Sequence, residues 1–505
     1  MPSRSVPLKA PGRWLYRGTV LAAVLAWAAL AVLAGCATPG KPAPAPALPS
    51  AAELGLPATI ATADAPNEWW WMFNDPRLDE LIQQALLGQP TLLVVQSRLA
   101  RAQALSASTL ASQSPQVGAS ADLNWQHYTA RGLVPPPIAG SERVSANLQL
   151  GASVALDFFG RNAAALKATL GAQRAAQADV EATKVLIAAQ VARGYLGLAR
   201  LTGWRELTQR SLAQREAALA LVQQRVKAGI DTQAEVAIAQ TSLAEGRLQL
   251  EALTEQTGLA RHALAALCGL APQAVDDLAP KLPALQPAQL PKVLGADLLG
   301  RRVDVLAARW RVEAATGTLD QAMADFYPDI NLAGFVGLNA LGLDRLLALP
   351  SRNFGVGPAL RLPVFDAGRL QAQQRGREAE VAGAVAAYRG VLLDAAREAL
   401  DALASLQSLQ RQLGAQAAAV AAAQRGWTLA RERRQAGVGT ELQVLAAETP
   451  LLAPRRSLVD LHARLLETQV ALIHALGGGW TLPAELKTLA PLRSSDPAAL
   501  KVSAP

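Results

Sequence analysis

The sequence has few cysteine, histidine and aromatic residues. Its 505 residues include two cysteines and four histidines, and Phe, Trp and Tyr together make up 4% of the chain. Two cysteines exclude the disulfide framework that holds many small exported domains together. Cys268 lies among Leu264, Leu267 and Leu270, so we predict a small buried apolar residue at this position. The abundance of Ala, Leu, Gln and Arg is typical of long packed helices.

The net charge is also too low to indicate a nucleic-acid partner. The formal charge of +8 includes four basic residues and no acid within the first 35 positions, which leaves +4 for the rest of the chain. A charge of this size, spread over so long a sequence, forms no basic domain of the kind that binds nucleic acid.

A single stretch of the sequence is long and apolar enough to suggest a signal, and it lies at the N-terminus. Four basic residues precede an apolar run at 19–34, which is the pattern of a secretory signal. The run ends in Leu-Ala-Gly-Cys at Cys36, which resembles the lipobox of bacterial lipoproteins; a plain signal peptide and a membrane anchor are the alternatives. The lipobox implies a signal at 1–35, a covalent lipid on Cys36 and, with Ala37 next, sorting to the outer membrane. Because no other stretch has ~20 unbroken apolar residues, any further membrane crossing would have to use strands.

The chain contains a long internal repeat. The sequence Ala-Gly-Ile-Asp-Thr, which contains Gly229, returns as Ala-Gly-Val-Gly-Thr around Gly437, 208 positions later. Upstream, Pro115 and Pro328 are 213 positions apart. Such a period is too long for a solenoid unit and indicates a duplicated module of domain size. The predicted divisions are a lipidated N-terminal segment at 36–77, a first repeat at 78–271, a linker at 272–296, a second repeat at 297–478 and a C-terminal tail at 479–505.

Each repeat carries two segments in which apolar and polar residues alternate. In the best example, apolar residues occupy every second position from Val144 to Leu156, which is the period of a strand with one apolar face. Each segment is long enough to cross a bilayer as a tilted strand, which needs ~9 to 11 residues; a soluble two-sided sheet is the alternative. Four strands leave edges that lipid cannot satisfy, so insertion would require several subunits. The predicted strands are 116–128, 144–157, 329–340 and 353–365.

Long helices are predicted after each strand pair. The segments 161–227 and 369–435 contain no proline, and each is followed by a glycine that can end a helix with a positive φ. On the two returning helices, apolar residues recur at intervals of three and four, as in helices that pack side by side. These seams are Leu250, Leu253, Thr257, Ala260, Leu264 and Leu267 in the first copy and Leu458, Leu461, Leu465, Thr468, Leu472 and Ala475 in the second.

Shorter helices, at 78–113 and 297–325, are predicted before the strand pairs. Pro450 and Pro454 lie within the second returning helix, whereas the first copy has Ser242 and Gly246 at those positions. Since proline removes a helical hydrogen bond, we predict a bend in the second copy that the first copy lacks.

No catalytic or metal-binding motif is recognisable. The four histidines have no metal-site spacing, and HExxH, GxSxG, P-loop and strand-linked GxGxxG patterns do not occur. Three glycines at 477–479 follow a predicted helix and are interpreted as its terminator. We predict a passive conduit that is not an enzyme and has no metal or cofactor apart from the lipid on Cys36.

Several short motifs extend over the whole mature chain. They are Glu68-Trp69-Trp70 with Phe73-Asn74-Asp75-Pro76-Arg77-Leu78, Leu156 to Arg161, Leu298 to Arg309, Phe326-Tyr327-Pro328, and Leu362 to Arg369. In this order, and in two copies, they resemble the TolC-type outer-membrane factors, in particular the lipidated branch that serves tripartite multidrug efflux pumps. The resemblance implies a mainly α fold with membrane β: four transmembrane strands and long helices in two tandem repeats. Three protomers would form a 12-stranded β-barrel continued by an α-helical periplasmic tunnel.

The resemblance places the two glycine turns at the periplasmic end of the tunnel, where they would contact the hairpins of an adaptor protein. The residues concerned are Ala228, Gly229 and Ile230 in the first turn and Ala436, Gly437, Val438 and Gly439 in the second. Because any helical hairpin needs such a turn, a role in folding alone is the alternative. Basic residues flank both turns and would suit either the helix dipole or an acidic partner.

The resemblance also implies acidic rings that narrow the closed pore just beyond the turns. Glu235 matches such a position in the first copy, and its equivalent in the second copy is Gln443. Ala446 stands at a neighbouring position that is usually acidic in the family, and Glu448 is a further candidate for the second ring. A solvated surface charge is the alternative role for Glu235.

The predicted function is therefore an exit duct for drugs or other small toxic compounds. The implied partners are two further copies of the chain, a periplasmic adaptor, an inner-membrane transporter of the RND type and outer-membrane lipid. A channel for type I protein secretion or for aromatic-acid export is the alternative. A structural trimeric lipoprotein is less compatible with the sequence, because a stalk does not need the duplicated strand pairs.

Overall fold

The computed structural model describes residues 68–282 and 302–479. The predicted signal, Cys36, most of the N-terminal segment, part of the linker and all but the first residue of the C-terminal tail lie outside these ranges. In chain order the longer elements are α1 (Pro76–Gly88), α2 (Pro90–Ala111), β1 (Gln116–His127), β2 (Glu142–Leu156), α3 (Arg161–Lys227), α4 (Gln233–Leu267), α5 (Val303–Ala324), β3 (Asp329–Leu341), β4 (Arg352–Arg361), α6 (Arg369–Gln435) and α7 (Glu441–Ala475).

The duplication is visible in the lengths of the helices. The outgoing helices α3 and α6 both have 67 residues, and the returning helices α4 and α7 both have 35. The bounds of α3 and α6 are those predicted from the proline-free segments. Three-residue to five-residue helical turns accompany these elements at Trp69–Phe73, Pro272–Val275, Leu343–Leu346 and Leu349–Ser351.

Strands β1, β2 and β3 agree with the predicted bounds to within two residues, with β2 beginning at Glu142 instead of position 144, whereas two other predicted elements differ by more. The single helix predicted at 78–113 is two helices, because Gln89 precedes Pro90 and adopts an extended conformation with ψ 122°. The Gln89 side chain then accepts a hydrogen bond from the Thr91 backbone N–H at 2.5 Å. The strand predicted to reach Phe365 ends at Arg361, which pairs with Asp329, the first residue of β3. Beyond that pair the neighbouring strand offers no partner.

The chain divides into two compact units. Among the described residues, the first unit contains 102–173 and 311–384, and the second contains 68–101, 174–282, 302–310 and 385–479. The long helices α3 and α6 contribute residues to both units.

The first unit contains a four-stranded sheet in the order β1-β2-β3-β4. All three pairs of neighbouring strands are antiparallel. The two edges of the sheet, β1 and β4, have no further strand beside them among the described residues.

In the first unit, α3 and α5 touch through a reciprocal pair of glycines. A Cβ added to Gly171 would lie 2.8 Å from the backbone nitrogen of Ala314, and one added to Gly317 would lie 2.6 Å from that of Ala168. Lys167 binds Asp320 across the same two helices at 2.9 Å. Only glycine therefore permits this backbone approach.

The core of the second unit lies between the segment 69–92 and the long helices. The largest fully buried members of this core are Trp69, Phe73, Leu78, Ile82, Tyr195, Leu196, Leu198, Leu264 and Ile473. A second cluster joins α6 to α7 through Leu406, Leu409, Leu465 and Leu472. Every residue of the two predicted seams is buried or half-buried, which confirms the side-by-side packing. Cys268 is buried as predicted, and burial raises the pKa of its thiol to about 11.

Asp75 anchors the start of α1 to α3. Its Oδ1 accepts hydrogen bonds from the backbone N–H groups of Arg77 at 3.0 Å and Leu78 at 3.4 Å, and Pro76 occupies the first helical turn. Its Oδ2 accepts a 2.6 Å hydrogen bond from the hydroxyl of Tyr195. Burial and this bond raise the pKa of Tyr195, so the hydroxyl remains a donor at neutral pH.

Asp75→Ala is expected to lower the free energy of unfolding by about 2 to 4 kcal/mol, since it removes an N-cap and leaves a buried hydroxyl without its acceptor. Urea unfolding followed by tryptophan fluorescence would measure the loss. Glu80→Ala, which breaks a half-exposed ion pair with Arg77, is the matched control and should cost below ~1 kcal/mol. Equal losses in the two variants would contradict the double role of Asp75.

Candidate functional site

The sheet has one polar and one apolar face. Ser120, Gln149, Gly337 and Asn353 form a row across all four strands on the polar face. Ala119, Leu150, Val336 and Phe354 form the adjacent row on the apolar face. Large apolar side chains on the second face are open to the surroundings, including Val117 (67% exposed), Leu123 (63%), Phe354 (79%) and Val356 (81%). An exposed apolar face of this extent marks contact with lipid or with another protein.

Aromatic residues stand at both ends of the apolar face. Trp125 lies near the loop that joins β1 to β2 and is 69% exposed. At the opposite end, where strands pass into helices, the rings of Phe159 and Tyr327 stack with centroids 5.1 Å apart. Phe365 is 82% exposed at the same end. Apolar strands bounded by aromatic residues are typical of a membrane-spanning sheet.

Across 68–282 and 302–479, none of the helices combines sufficient length with sufficient apolar character for a membrane span.

The two glycine turns have the same backbone geometry. In the first turn, Gly229 has φ 73° and the N–H of Ile230 donates to the carbonyl of Arg225 at 2.9 Å. In the second, Gly437 has φ 77° and the N–H of Val438 donates to the carbonyl of Arg433 at 3.0 Å. This is the Schellman pattern of helix termination. Ile230 and Val438 are 63% and 68% exposed, so each turn presents one apolar side chain.

Different side chains hold the two turns in place. In the first turn, Arg225 binds Asp231 through two hydrogen bonds of 2.7 and 3.1 Å, which lower the pKa of Asp231. The second turn has Gly439 at the equivalent position, and Arg434 pairs with Glu441 instead. The first turn is thus closed by an ion pair within the turn itself, and the second by an ion pair with the returning helix.

The predicted constriction residues lie in the first two turns or so of the returning helices. Glu235 is exposed in the first turn of α4. Gln443 is its equivalent in α7, and its side chain forms a capping box with Thr440: Gln443 Oε1 accepts from Thr440 N at 3.0 Å. Ala446 is exposed and Glu448 half-buried further along α7. The side chain of Gln443 is therefore occupied by the local helix cap, which the sequence pattern Thr-x-x-Gln could have indicated.

Pro450 and Pro454 lie inside α7, which the structure shows as one helix from Glu441 to Ala475. Amide side chains of the neighbouring helices supply donors near the two prolines. Gln416 donates to the carbonyl of Pro454 at 2.9 Å, and Gln214 donates to the carbonyl of Leu445. The prediction that α7 has a bend that α4 lacks stays a prediction.

Among the described residues, no group of three or more His, Cys, Asp or Glu side chains is arranged to hold a metal ion.

Comparison with known proteins identifies the same two halves of the chain. The family model described as "Outer membrane efflux protein" matches residues 81–270 and 294–478, most of both repeats. The chain is 35% identical to the fusaric acid resistance protein FusA of Burkholderia cepacia over 367 residues, which are 71% of this chain and 69% of the relative. It is 30% identical over 475 residues to the putative multidrug resistance outer membrane protein MdtQ of Escherichia coli K12, covering 92% of this chain and 99% of MdtQ.

A solved structure shares the fold as well as the sequence. The outer membrane protein VceC of Vibrio cholerae superposes with a TM-score of 0.75 and is 34% identical. The superposition covers 82% of this chain and 99% of VceC.

Proposed function

Because the chain belongs to the outer membrane efflux protein family, we propose that it is the exit duct of a tripartite pump that expels drugs or other small toxic compounds. The protein resides in the outer membrane, as its family and its structural relatives do. The single observation that carries the proposal is the two-faced sheet, whose apolar side is exposed and whose polar side can line an aqueous path. Relatives named for multidrug resistance support the type of cargo.

We propose a homotrimer on the basis of the sheet edges. The strands alternate in direction, so β4 of one protomer would meet β1 of the next in antiparallel orientation. Three copies would close a 12-stranded barrel in which no backbone group remains unpaired in lipid. The long helices would continue the duct as a periplasmic tunnel.

The partners in this proposal are a periplasmic adaptor and an inner-membrane transporter of the RND type. The two glycine turns are the adaptor-contact tips, with Ile230 and Val438 as exposed apolar contacts and nearby arginines for an acidic partner. Glu235, with Gln443, Ala446 and Glu448 at the corresponding level, would line the narrowest part of the closed tunnel. In this arrangement the duct itself performs no chemistry, and its partners supply the energy for transport.

Two measurements test the duct directly. Purified protein in a planar lipid bilayer is expected to form pores. Deletion of the gene is expected to lower the minimum inhibitory concentrations of drugs several-fold. Reintroduction of the wild-type gene is the control for the deletion. Absence of conductance together with unchanged susceptibility would contradict the proposal.

Cys36 is proposed to carry the lipid that follows removal of residues 1–35. Cys36→Ser is therefore expected to abolish incorporation of radioactive palmitate. Cys268→Ser provides a matched control, because Cys268 is buried in the second unit and should not affect labelling. Label that persists in Cys36→Ser would exclude this lipidation site.

A second candidate function is export of aromatic acids through the same kind of duct. The identity with FusA, a protein named for resistance to an acid, favours it. The two functions differ in cargo and share the architecture, so accumulation assays with a neutral drug and with an aromatic carboxylate would separate them.

A further inference from the structure

Trp204 of α3 lies between two guanidinium groups in the second unit. The Cζ atom of Arg200, from the same helix, is 5.1 Å from the centroid of the indole ring, and that of Arg456, from α7, is 4.3 Å away. Two cations on a single tryptophan create mutual repulsion that nearby acids must offset.

Further charged residues surround this ring. Asp460 interacts with Arg200, Arg456 and Arg464, and Glu467 interacts with Arg193, Arg200 and Arg464. Burial raises the pKa of both carboxyls, against the opposing effect of these arginines. We call the group the arginine–tryptophan cluster; it consists of Arg193, Arg200, Trp204, Arg456, Asp460, Arg464 and Glu467. Four arginines and two carboxylates leave a net charge of +2.

The duplicated helices α6 and α4 do not carry this cluster. At the positions 208 residues away, α6 has Asp401, Ser408 and Gln412 in place of Arg193, Arg200 and Trp204. In place of the four cluster residues of α7, which are Arg456, Asp460, Arg464 and Glu467, α4 has Leu248, Ala252, Gln256 and Leu259. Helices α6 and α4 therefore form without these arginines and this tryptophan, and the cluster is specific to the contact between α3 and α7.

The cluster and the segment 280–282 lie on different sides of the contact between α3 and α7. At that contact, a Cβ added to Gly203 would lie 3.2 Å from Val459. On one side, a cavity of about 170 Å³ is lined by residues of α3 and α7 together with Pro280, Lys281 and Leu282. Its α3 residues include Thr202 and Glu206, each about 200° around the helix from Arg200 and Trp204 respectively.

If the protein is the proposed duct, the side that carries the cluster faces the pore. A tunnel wall one helix thick has an inner and an outer side, and a segment that covers the inner side would obstruct the duct. The segment 280–282 therefore belongs to the outer side, and the arginine–tryptophan cluster to the inner side. Three protomers would place three such clusters at one level of the pore, with a summed charge of +6.

We propose that the arginine–tryptophan cluster is a binding station in the pore for organic anions, with planar aromatic carboxylates as the best fit. Guanidinium groups bind carboxylates through paired hydrogen bonds, and their flat faces stack on aromatic rings. Arg193 and Arg464 are exposed and can meet the carboxylate first, whereas Arg200 and Arg456 are half-buried and held by Trp204. The station would concentrate anionic cargo along the duct.

The test compares wild-type pores with an Arg200→Gln/Arg456→Gln variant in planar bilayers under a KCl gradient. We expect the anion-to-cation permeability ratio of the variant to fall about threefold or more, because focused positive charge enriches anions in a narrow passage. Sodium benzoate is expected to reduce the wild-type KCl current. The variant should need a ~10-fold higher benzoate concentration for the same reduction, because it loses about one charge-assisted hydrogen bond to the carboxylate. Benzylammonium chloride serves as the cationic probe and should show no such difference.

Two further variants separate binding from folding. Arg210→Gln, on the cavity side of the same helix, is the matched control and should leave both readouts unchanged. Arg200→Lys/Arg456→Lys should keep the ion selectivity and lose the benzoate effect, since lysine has the charge without the planar fork. If the Arg200→Gln/Arg456→Gln variant does not form trimers, the variant with the exposed arginines replaced, Arg193→Gln/Arg464→Gln, should show the same loss of anion selectivity and of benzoate sensitivity.

The outcomes distinguish this proposal from the proposed function. Pores with unchanged selectivity and unchanged benzoate sensitivity in the glutamine variants would overturn the station and leave the duct intact. Reduced trimer stability with unchanged selectivity would assign the cluster to helix packing alone. A wild-type protein that forms no pore would overturn the duct itself, and the station with it.

Discussion

A chain carrying Gly229→Val and Gly437→Val is expected to reach the outer membrane as a trimer and to restore no drug resistance to a deletion strain. Both glycines have φ above 70°, a region that costs an L-residue ~1 to 2 kcal/mol and a β-branched residue more. A Cβ added at either position meets no atom within 4 Å, so we expect the damage to be confined to the turn. The displaced turn would no longer present Ile230 and Val438 in the geometry that the proposed adaptor contact requires.

Growth in the presence of drugs and gel analysis of trimers would measure the two effects. Gly426→Val is the matched control: Gly426 lies inside α6, has no neighbour within 4 Å of an added Cβ and has ordinary helical geometry. It should behave as wild type. If the turn variants lose the trimer as well, the two glycines serve folding, and the tips lose their assignment as a docking site.

Arg302→Ala is expected to lower the free energy of unfolding by about 3 to 5 kcal/mol. The Arg302 side chain is 5% exposed and binds Asp304 at 2.7 Å and Glu398 of α6 at 2.9 Å. It also donates to the carbonyl of Ala475 at 3.3 Å, at the C-terminal end of α7. Its removal leaves two carboxylates and a helix end without their cation.

Thermal unfolding of the detergent-solubilised protein would measure the effect of Arg302→Ala. Arg377→Ala removes an arginine that pairs with Glu380 on the surface of α6, and it should change stability by less than ~1 kcal/mol. A small loss in Arg302→Ala, equal to that of the control, would contradict the joint anchoring of α5, α6 and α7.

Burial and, to a smaller extent, the charge of Arg302 lower the pKa of His474 in the folded protein. Because the unfolded state then binds a proton more readily than the folded state, the stability of the wild type should fall as the pH drops below 6.5.

The sequence was sufficient for elements whose signals are local and repeated. The bounds of α3 and α6 follow from proline-free segments that end before Gly229 and Gly437, and those glycines do have positive φ. The alternation of apolar and polar residues locates the strands: the starts of β1 and β3 agree with the prediction, and β2 begins two residues earlier than predicted, at Glu142. The break between α1 and α2 was also readable, because Pro90 disfavours helix at the residue before it.

Features that depend on distant partners could not be predicted in the same way. The contact of Trp204 with Arg456 joins residues on two helices that the sequence separates by an entire repeat. The end of β4 depends on where β3 begins, which is a property of register. Likewise, nothing in the local pattern of Arg302 indicates that it meets both Glu398 and Ala475.

The glycine contact between α3 and α5 limits how this duct can change. The atoms that a new side chain would strike at Gly171 and Gly317 are chiefly backbone atoms of alanines, so no smaller residue opposite could make room. Compensation would require the two helices to move apart, and Lys167 with Asp320 resists that movement nearby. Variation between related ducts is therefore expected to accumulate at the turns and in the pore lining, while this crossing point stays fixed.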